Sequence, residues 1–436
     1  MAGVFDGLLA EIAGTRPTLR VGRVRALQRG TLVASGLDQA ALGDRVAIHS
    51  ASGRLEGEIV QLEAGAATVL PDGPGYGTAI GDRVDLLGQA GIAPDDSWIG
   101  RIIDPYGRPL DGRMLLRGAH ARPLRAAAPA AASRRRLGNR LETGVAAFDT
   151  LLPLVRGQRI GLFAGSGVGK SSLLAKFAKG VEADVVVIAL VGERGRELRE
   201  FTEKVLGPDG MARSVVVTAT SDQSPLTRRL CALTAMAVAE HFRDQGLHVL
   251  LLVDSVTRFA EAHREVALAG GEAATLRGYP ASLSHAIMGL AERAGPGPEG
   301  AGDITAVFSV LVAGSDMDEP VADILRGVLD GHVVMDRRIA ERGRFPAIDL
   351  LRSVSRSLPE AASAAENILI ADARRLLGAY DRAELMIQAG LYAAGSDPVI
   401  DRAIALWPLL DGYLAEPAPA TGIAGSFERL AACLSA

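Results

Sequence analysis

The sequence predicts an α/β protein: a parallel-sheet core covered by helices, a small N-terminal β-barrel before it and a helical C-terminal domain after it. Three observations lead there. From Arg159 onward, apolar runs alternate with helical stretches, the pattern of strands buried on both faces. Between about Leu19 and Leu87, short alternating runs are punctuated by Gly, Asp and Pro, as in a barrel of short strands. Beyond about Leu358 the chain is rich in Ala and Leu and reads as helix. The expected division is an N-terminal amphipathic segment (1–18), a barrel (19–95), a connecting segment and linker (96–150), the α/β core (151–358) and the C-terminal helices (359–436).

Residues 3–13 place Val4, Phe5, Leu8, Leu9 and Ile12 on one helical face. That face suits a docking partner and suits burial in the chain's own barrel equally well. In the barrel region, Thr31-Leu-Val-Ala, Arg45-Val-Ala-Ile-His and Gly57-Glu-Ile-Val read as strands. Arg122 to Arg136 is an Ala/Pro stretch ending in three arginines; the triplet could touch phosphate, but the composition predicts a solvated linker. Core strands are expected at Arg159–Ala164, Asp184–Val191, Ser214–Thr220, His248–Asp254 and Asp303–Ala313. A helix from Pro225 to Gln245 is marked by Ser224 as N-cap, Pro225 in the first turn and Gly246 as stop. A Pro/Ala/Gly-rich tail is expected near Pro417–Gly425.

Composition excludes several classes. With 436 residues, 48% of them hydrophobic and 22% charged, the chain can bury a sizeable core. A net charge of −4 argues against a protein built to grip nucleic acid. The two cysteines, Cys231 and Cys433, lack metal-ligand spacing and predict a reducing cytosol without disulfides. The seven histidines form no paired motif. Apolar runs such as Val185 to Val191 are too short to span a bilayer, and the N-terminus has no basic n-region. The expectation is a soluble cytoplasmic protein.

The chemistry concentrates at Gly165-Ser166-Gly167-Val168-Gly169-Lys170-Ser171-Ser172, which follows the apolar run Ile160 to Phe163. A strand, a glycine-rich turn and a helix start let backbone N–H groups wrap a polyphosphate. Lys170 adds a point charge for the β/γ-phosphates, and the Ser171 hydroxyl is placed to ligate Mg²⁺. The expected helix from Lys170 to Lys179, stopped by Gly180, aims its positive end at the same anion. The first position of the G-x-x-x-x-G-K-[ST] pattern is Ala164 rather than Gly.

Val249 to Val253 runs into Asp254. A carboxylate ending a buried strand downstream of a P-loop is where the Mg²⁺-holding Asp belongs; the alternative is a cap on the following turn. The next residue is Ser255, so the catalytic carboxylate must come from elsewhere. Glu193, just past the strand Asp184–Val191, is the candidate, because strand C-termini line the ligand crevice of open α/β sheets. A carboxylate there can orient and polarise water. The charges of Arg194, Arg196, Glu197, Arg199 and Glu200 leave a solvated loop as the other reading.

Gly161 to Ser171, Val191-Gly-Glu-Arg-Gly-Arg-Glu and Leu252-Val-Asp-Ser-Val-Thr-Arg258 resemble the rotary-type ATPase core, shared by F-type catalytic subunits and the ATPases of flagellar and type III protein export. Asp323 to Arg337, Phe345-Pro-Ala-Ile-Asp349, Ser353-Val-Ser-Arg356, Ala389 to Asp397 and Asp401-Arg-Ala-Ile404 resemble the export branch. The resemblance covers about Ile99 to Leu414. It implies a RecA-like P-loop core, ATP and Mg²⁺ as cofactors, and a homohexamer. It also implies regulatory and stalk proteins, export chaperones and flagellar cargo as partners, no nucleic acid, and peripheral association with the export gate at the inner membrane. Site roles carried over are nucleotide binding by Gly165 to Ser172, Mg²⁺ by Ser171 and Asp254, and catalysis by Lys170, Glu193, Arg194 and Arg356. Arg356 is implied to act as an arginine finger on the adjacent subunit's nucleotide. One departure is Gly271-Glu-Ala-Ala-Thr-Leu-Arg277, where the family usually carries paired prolines after Gly-Glu. An F-type-like catalytic subunit and a ring nucleic-acid translocase stand as the other readings. The translocase wants aromatic platforms, and Tyr76 is the one aromatic between Leu19 and Leu87.

Overall fold

The computed structural model describes Ile12 and residues 18–312 and 316–436. The amphipathic segment 3–13, apart from Ile12, and Ala313 lie outside the described residues. Six strands, β1 (Arg20–Leu27), β2 (Leu32–Ser35), β3 (Asp44–Ser50), β4 (Gly53–Glu63), β5 (Ala66–Pro71) and β6 (Arg83–Gln89), close into an antiparallel barrel of order β1-β2-β5-β4-β3-β6. Alternation along the strands sends Val24, Leu32, Val46, Ile48, Ile59, Val69 and Val84 inward, the period-two arrangement of a small barrel. Two short strands, β7 (Gly91–Ile92) and β9 (Arg122–Pro123), pair beyond it.

The core is a nine-stranded, mostly parallel sheet. Its central members are β10 (Arg159–Ala164), β11 (Val185–Glu193), β12 (Ser214–Thr220), β13 (His248–Asp254) and β15 (Asp303–Leu311), with the order β10-β15-β13-β11-β12. β14 (Gly295–Pro296) pairs antiparallel with β15. These strands are largely apolar because both faces are covered, yet the two faces still alternate. Val186, Ile188 and Leu190 join the Lys170–Gly180 helix and the C-terminal helices in one apolar cluster. Val185, Val187, Ala189 and Val191 join the Pro225–Asp244, Val256–Ala269 and Leu283–Arg293 helices in another. Ser224 caps its helix as the sequence predicts, accepting from Thr227 N–H.

Besides β14, three strands of this sheet are additions to the expected set. β8 (Arg101–Ile103), inside the connecting segment, extends the β12 edge. β16 (Gly331–Met335) runs parallel beside β10, and β17 (Ile348–Ser355) closes that edge antiparallel. β8 is three residues long, and β17 carries exposed Leu351, Arg352 and Val354, so neither gives an apolar run.

Two expectations are corrected. The Arg122–Arg136 stretch is not a free linker: Arg134 donates to the carbonyls of Pro129, Glu292 and Ala294, and Arg135 pairs with Asp303 at 2.7 Å. Five-donor guanidinium groups here find loop and helix-end carbonyls that composition does not reveal. The Pro417–Gly425 stretch is no tail, because Ala418 N–H donates to Gly144 O and a final helix, Gly422–Ser435, buries Phe427, Leu430 and Leu434. The helical spacing of those residues was masked by the Pro-rich lead-in.

A buried ion pair ties helix to helix. Arg293 donates from Nε and Nη2 to the two oxygens of Glu240 at 2.8 and 2.7 Å, and from Nη1 to Leu124 O at 2.7 Å. Both side chains are buried, so removing one partner strands a charge. We expect Arg293→Met to destabilise the fold by about 3–5 kcal/mol, read as a lowered denaturant midpoint. An unchanged midpoint would show that the pair adds nothing.

Candidate active site

β10, β13 and β11 run parallel, so their carboxyl ends open on one side of the sheet, where open α/β sheets hold ligands. The turn after β10 carries Gly167 and Gly169 at φ +79° and +87°, and Gly169 caps the Lys170–Gly180 helix in the left-handed conformation. A side chain at either position would strain the turn. Val168 is buried in the core, so its side chain anchors the loop while its backbone stays in the turn. Ser166, Gly167, Ser171 and Ser172 are exposed and Gly165, Gly169 and Lys170 half-buried along one cleft of about 940 Å³.

Asp254 ends β13 and is buried. Its Oδ1 is paired with Lys170 Nζ and accepts from Ser309 Oγ at 2.7 Å. Glu193 is the last residue of β11, two residues beyond the expected strand end, and a bulge falls between Val191 and Glu193. Gly192 takes φ +69° there, and the extra residue re-aims the carboxylate into the cleft. Burial first, then the Asp254 charge and the neighbouring Glu197, raises the Glu193 carboxyl to about 7. A carboxylate poised near neutrality is suited to general-base work.

Arg194 also lines the cleft but points outward, 3.9 Å from Glu197 and largely exposed. Arg356 is elsewhere. Its backbone follows β17, whose Ser355 pairs with Gly331 at the start of β16, whereas Ala164, next to the P-loop, pairs with Met335 at the end of β16. Four residues of strand, about 13 Å, therefore separate the level of Arg356 from that of its own P-loop. The chain brings Lys170, Glu193, Arg194 and Asp254 together and leaves Arg356 at the opposite end of the sheet.

Several residues in or beside the cleft go beyond the expected set. Arg228 and Arg258 face it, bound to Glu265 and Glu261 at 2.9 and 2.8 Å. Ser309 holds Asp254 from mid-strand, where a lone Ser in an apolar run was the one available signal. Phe345, exposed by 47%, stands against the phosphate loop: a Cβ at Gly169 would come within 3.2 Å of its ring. For a divalent cation, the oxygen donors are Ser171 and Asp254. Two protein ligands suit Mg²⁺, whose shell is otherwise completed by phosphates and waters. Among the described residues no cluster of three or more His, Cys, Asp or Glu offers an all-protein metal cage.

Comparison with known proteins gives the family. Residues 144–355 match the ATP synthase alpha/beta family nucleotide-binding domain, and residues 362–430 match the T3SS EscN ATPase C-terminal domain. The flagellum-specific ATP synthase of Caulobacter vibrioides is 45% identical, over 97% of this chain and 98% of that protein. The flagellum-specific ATP synthase of Salmonella typhimurium is 40% identical, over 98% and 94%. The type 3 secretion system ATPase of Xanthomonas euvesicatoria is 41% identical, over 93% and 92%. The assembled ATPase EscN of enteropathogenic E. coli superposes with a TM-score of 0.86 at 35% identity, covering 95% of this chain and 100% of that one. The C-terminal match separates the chain from an F-type-like catalytic subunit, and with these relatives it places the chain in the family of flagellar and type III secretion ATPases.

Proposed function

We propose that this chain hydrolyses ATP with Mg²⁺ at the cleft on the carboxyl ends of β10, β11 and β13 to energise export of flagellar subunits. The observation that carries the chemistry is that Lys170, at the start of the helix after β10, and Glu193, at the end of β11, line one cleft, with Lys170 paired to Asp254 at the end of β13. The N–H groups of Gly165 to Ser172 wrap the β/γ-phosphates, and Lys170 exchanges its Asp254 partner for phosphate oxygen. Ser171 and Asp254 would hold Mg²⁺, which would supply positive charge to the transferring phosphoryl group. Glu193 orients the attacking water and takes its proton. Arg194 is free to swing over the cleft, and the Phe345 ring offers a face for the base.

The active form is proposed to be a homohexamer, supported by likeness to the assembled EscN ATPase and to EscN in complex with its central stalk EscO. Arg356 of each subunit then serves the neighbour's nucleotide. Regulatory and stalk proteins, chaperones and flagellar cargo are the proposed partners, with segment 3–13 docking a regulator. The proposed location is the cytoplasm, at the periphery of the inner-membrane export gate; among the described residues no helix is long and apolar enough to cross a membrane.

Lys170→Ala removes the one side-chain charge built into the phosphate cradle. It is expected to abolish productive binding of a fluorescent ATP analogue and, in the native host, to stop filament assembly. Unchanged affinity and turnover would make the loop structural. Intact filaments with lost secretion of injected proteins would assign the chain to the virulence branch instead.

A further inference from the structure

We infer that Gln158, a buried amide before β10, is the positioning residue that fixes Arg356 for its work on the neighbouring subunit; this rests on the proposed role of Arg356. Gln158 is fully buried, and every polar atom of its side chain is used. Its Oε1 accepts from Val155 N–H at 3.0 Å, and its Nε2 donates to Asp330 O at 3.1 Å and to Ser355 Oγ at 3.2 Å. Those two acceptors bracket the finger. Asp330 O also accepts from the backbone N–H of Arg356 at 3.0 Å, and Ser355 is the residue immediately before it.

The residues on both sides of Arg356 are pinned. Ser355 Oγ donates to Pro153 O at 2.7 Å, and Ser357 Oγ lies 2.8 Å from Ser355 Oγ and 3.2 Å from Pro153 O. Asp330 is held in turn by Arg159, whose N–H and Nε both donate to its Oδ2. The backbones approach so closely that a Cβ on Gly331 would come 2.7 Å from Val354 O and 3.6 Å from Arg356 N. Out of this anchor projects a side chain with little to hold it: Arg356 Nη2 reaches Arg326 O at 3.2 Å in an exposed setting. A rigid root and a free guanidinium is the arrangement a group needs when its target belongs to another subunit. Placement errors of about 1 Å cost on the order of 10²-fold in rate, so the root matters.

The test uses Gln158→Met, which keeps the volume and deletes the amide's donors together with the Oε1 acceptor of Val155 N–H, and Ser355→Ala, which deletes the hydroxyl that accepts from Gln158 and donates to Pro153 O, with little change of shape. The expected result for each is a kcat reduced about tenfold or more, with KM for ATP and affinity for a fluorescent analogue unchanged. Mixing either variant with Lys170→Ala subunits should restore turnover, since some interfaces then pair an intact P-loop with an intact, well-rooted finger. Arg356→Ala mixed with Lys170→Ala is run alongside. Recovery there but none with Gln158→Met or Ser355→Ala overturns the positioning role while leaving the finger standing. No recovery in any verified mixed oligomer overturns the finger and the inference with it. Wild-type kcat in both variants, or weakened ATP binding in both, also overturns it, the latter because the contact would then serve the chain's own core.

Discussion

Arg356→Ala is expected to leave ATP affinity close to that of the parent and to lower hydrolysis by about 10³–10⁵-fold. The two halves of that expectation have different physical sources. Binding survives because the phosphate cradle of the same subunit, Gly165 to Ser172 with Lys170, is built from β10 and its helix, and Arg356 lies at the other end of β16 and β17. Hydrolysis falls because a guanidinium stabilises charge that develops on the phosphoryl oxygens only in the transition state. Equilibrium binding of a labelled ATP analogue and steady-state phosphate release read the two separately. A parallel loss of both would mean that the side chain supports the fold. Full turnover would mean that the exposed Arg356 is only a surface charge, the reading that its Ser-rich sequence context would favour on its own.

The phosphate loop was legible in the sequence because its chemistry is local. Small residues, one lysine and a helix start lie within eight positions, and the structure folds them as that order dictates. Strands β10, β12 and β13 were legible to the residue because burial on both faces leaves largely apolar runs. The end of β11 was not, since Gly192 interrupts the run and the bulge that carries Glu193 into the strand depends on pairing with Thr220 of β12. β17 escaped because it exposes Leu351 and Val354 and buries Ser353 and Ser355, so polarity does not follow burial along it, and its register is set by β16. Arg258 comes into the cleft from a helix, buried Ser309 holds Asp254 from β15, and Phe345 stands beside Gly169 from the loop before β17. Phe345 was visible as part of a motif, yet its place beside Gly169 follows from the fold alone. Arg134 and Arg135 show the opposite case, charges that read as solvent-facing and are used to bind carbonyls across the sheet's base. Sequence resolves what neighbours in the chain decide, and tertiary pairing decides the rest.

Glu193→Gln is expected to bind ATP normally and to hydrolyse it about 10²–10⁴-fold more slowly. The amide keeps the size and hydrogen bonding of the carboxyl but cannot take a proton from water. The pH dependence gives this prediction a second, independent reading. With its carboxyl raised to about 7 by burial, Asp254 and Glu197, Glu193 is protonated below neutrality and cannot act as base there. In the parent, kcat/KM, which reports groups of the free enzyme, should therefore rise with pH through an apparent pKa near 7. In Glu193→Gln that ascending limb should vanish. Stability should move the other way. The folded carboxyl keeps its proton to about 7, whereas the unfolded one releases it near the ordinary value of 4.5. Between those two values the native state binds more protons, so the Glu193 contribution to stability declines as pH rises and is lost above about 7. Thermal midpoints of the nucleotide-free protein across that window should fall more steeply in the parent than in Glu193→Gln. The site thus gains its base in the same pH range in which it loses stability, as expected of a charge held in place for chemistry. Identical pH slopes for both proteins, with turnover within a few-fold of the parent, would return Glu193 to the solvated loop and require another base among the carboxylates of the cleft.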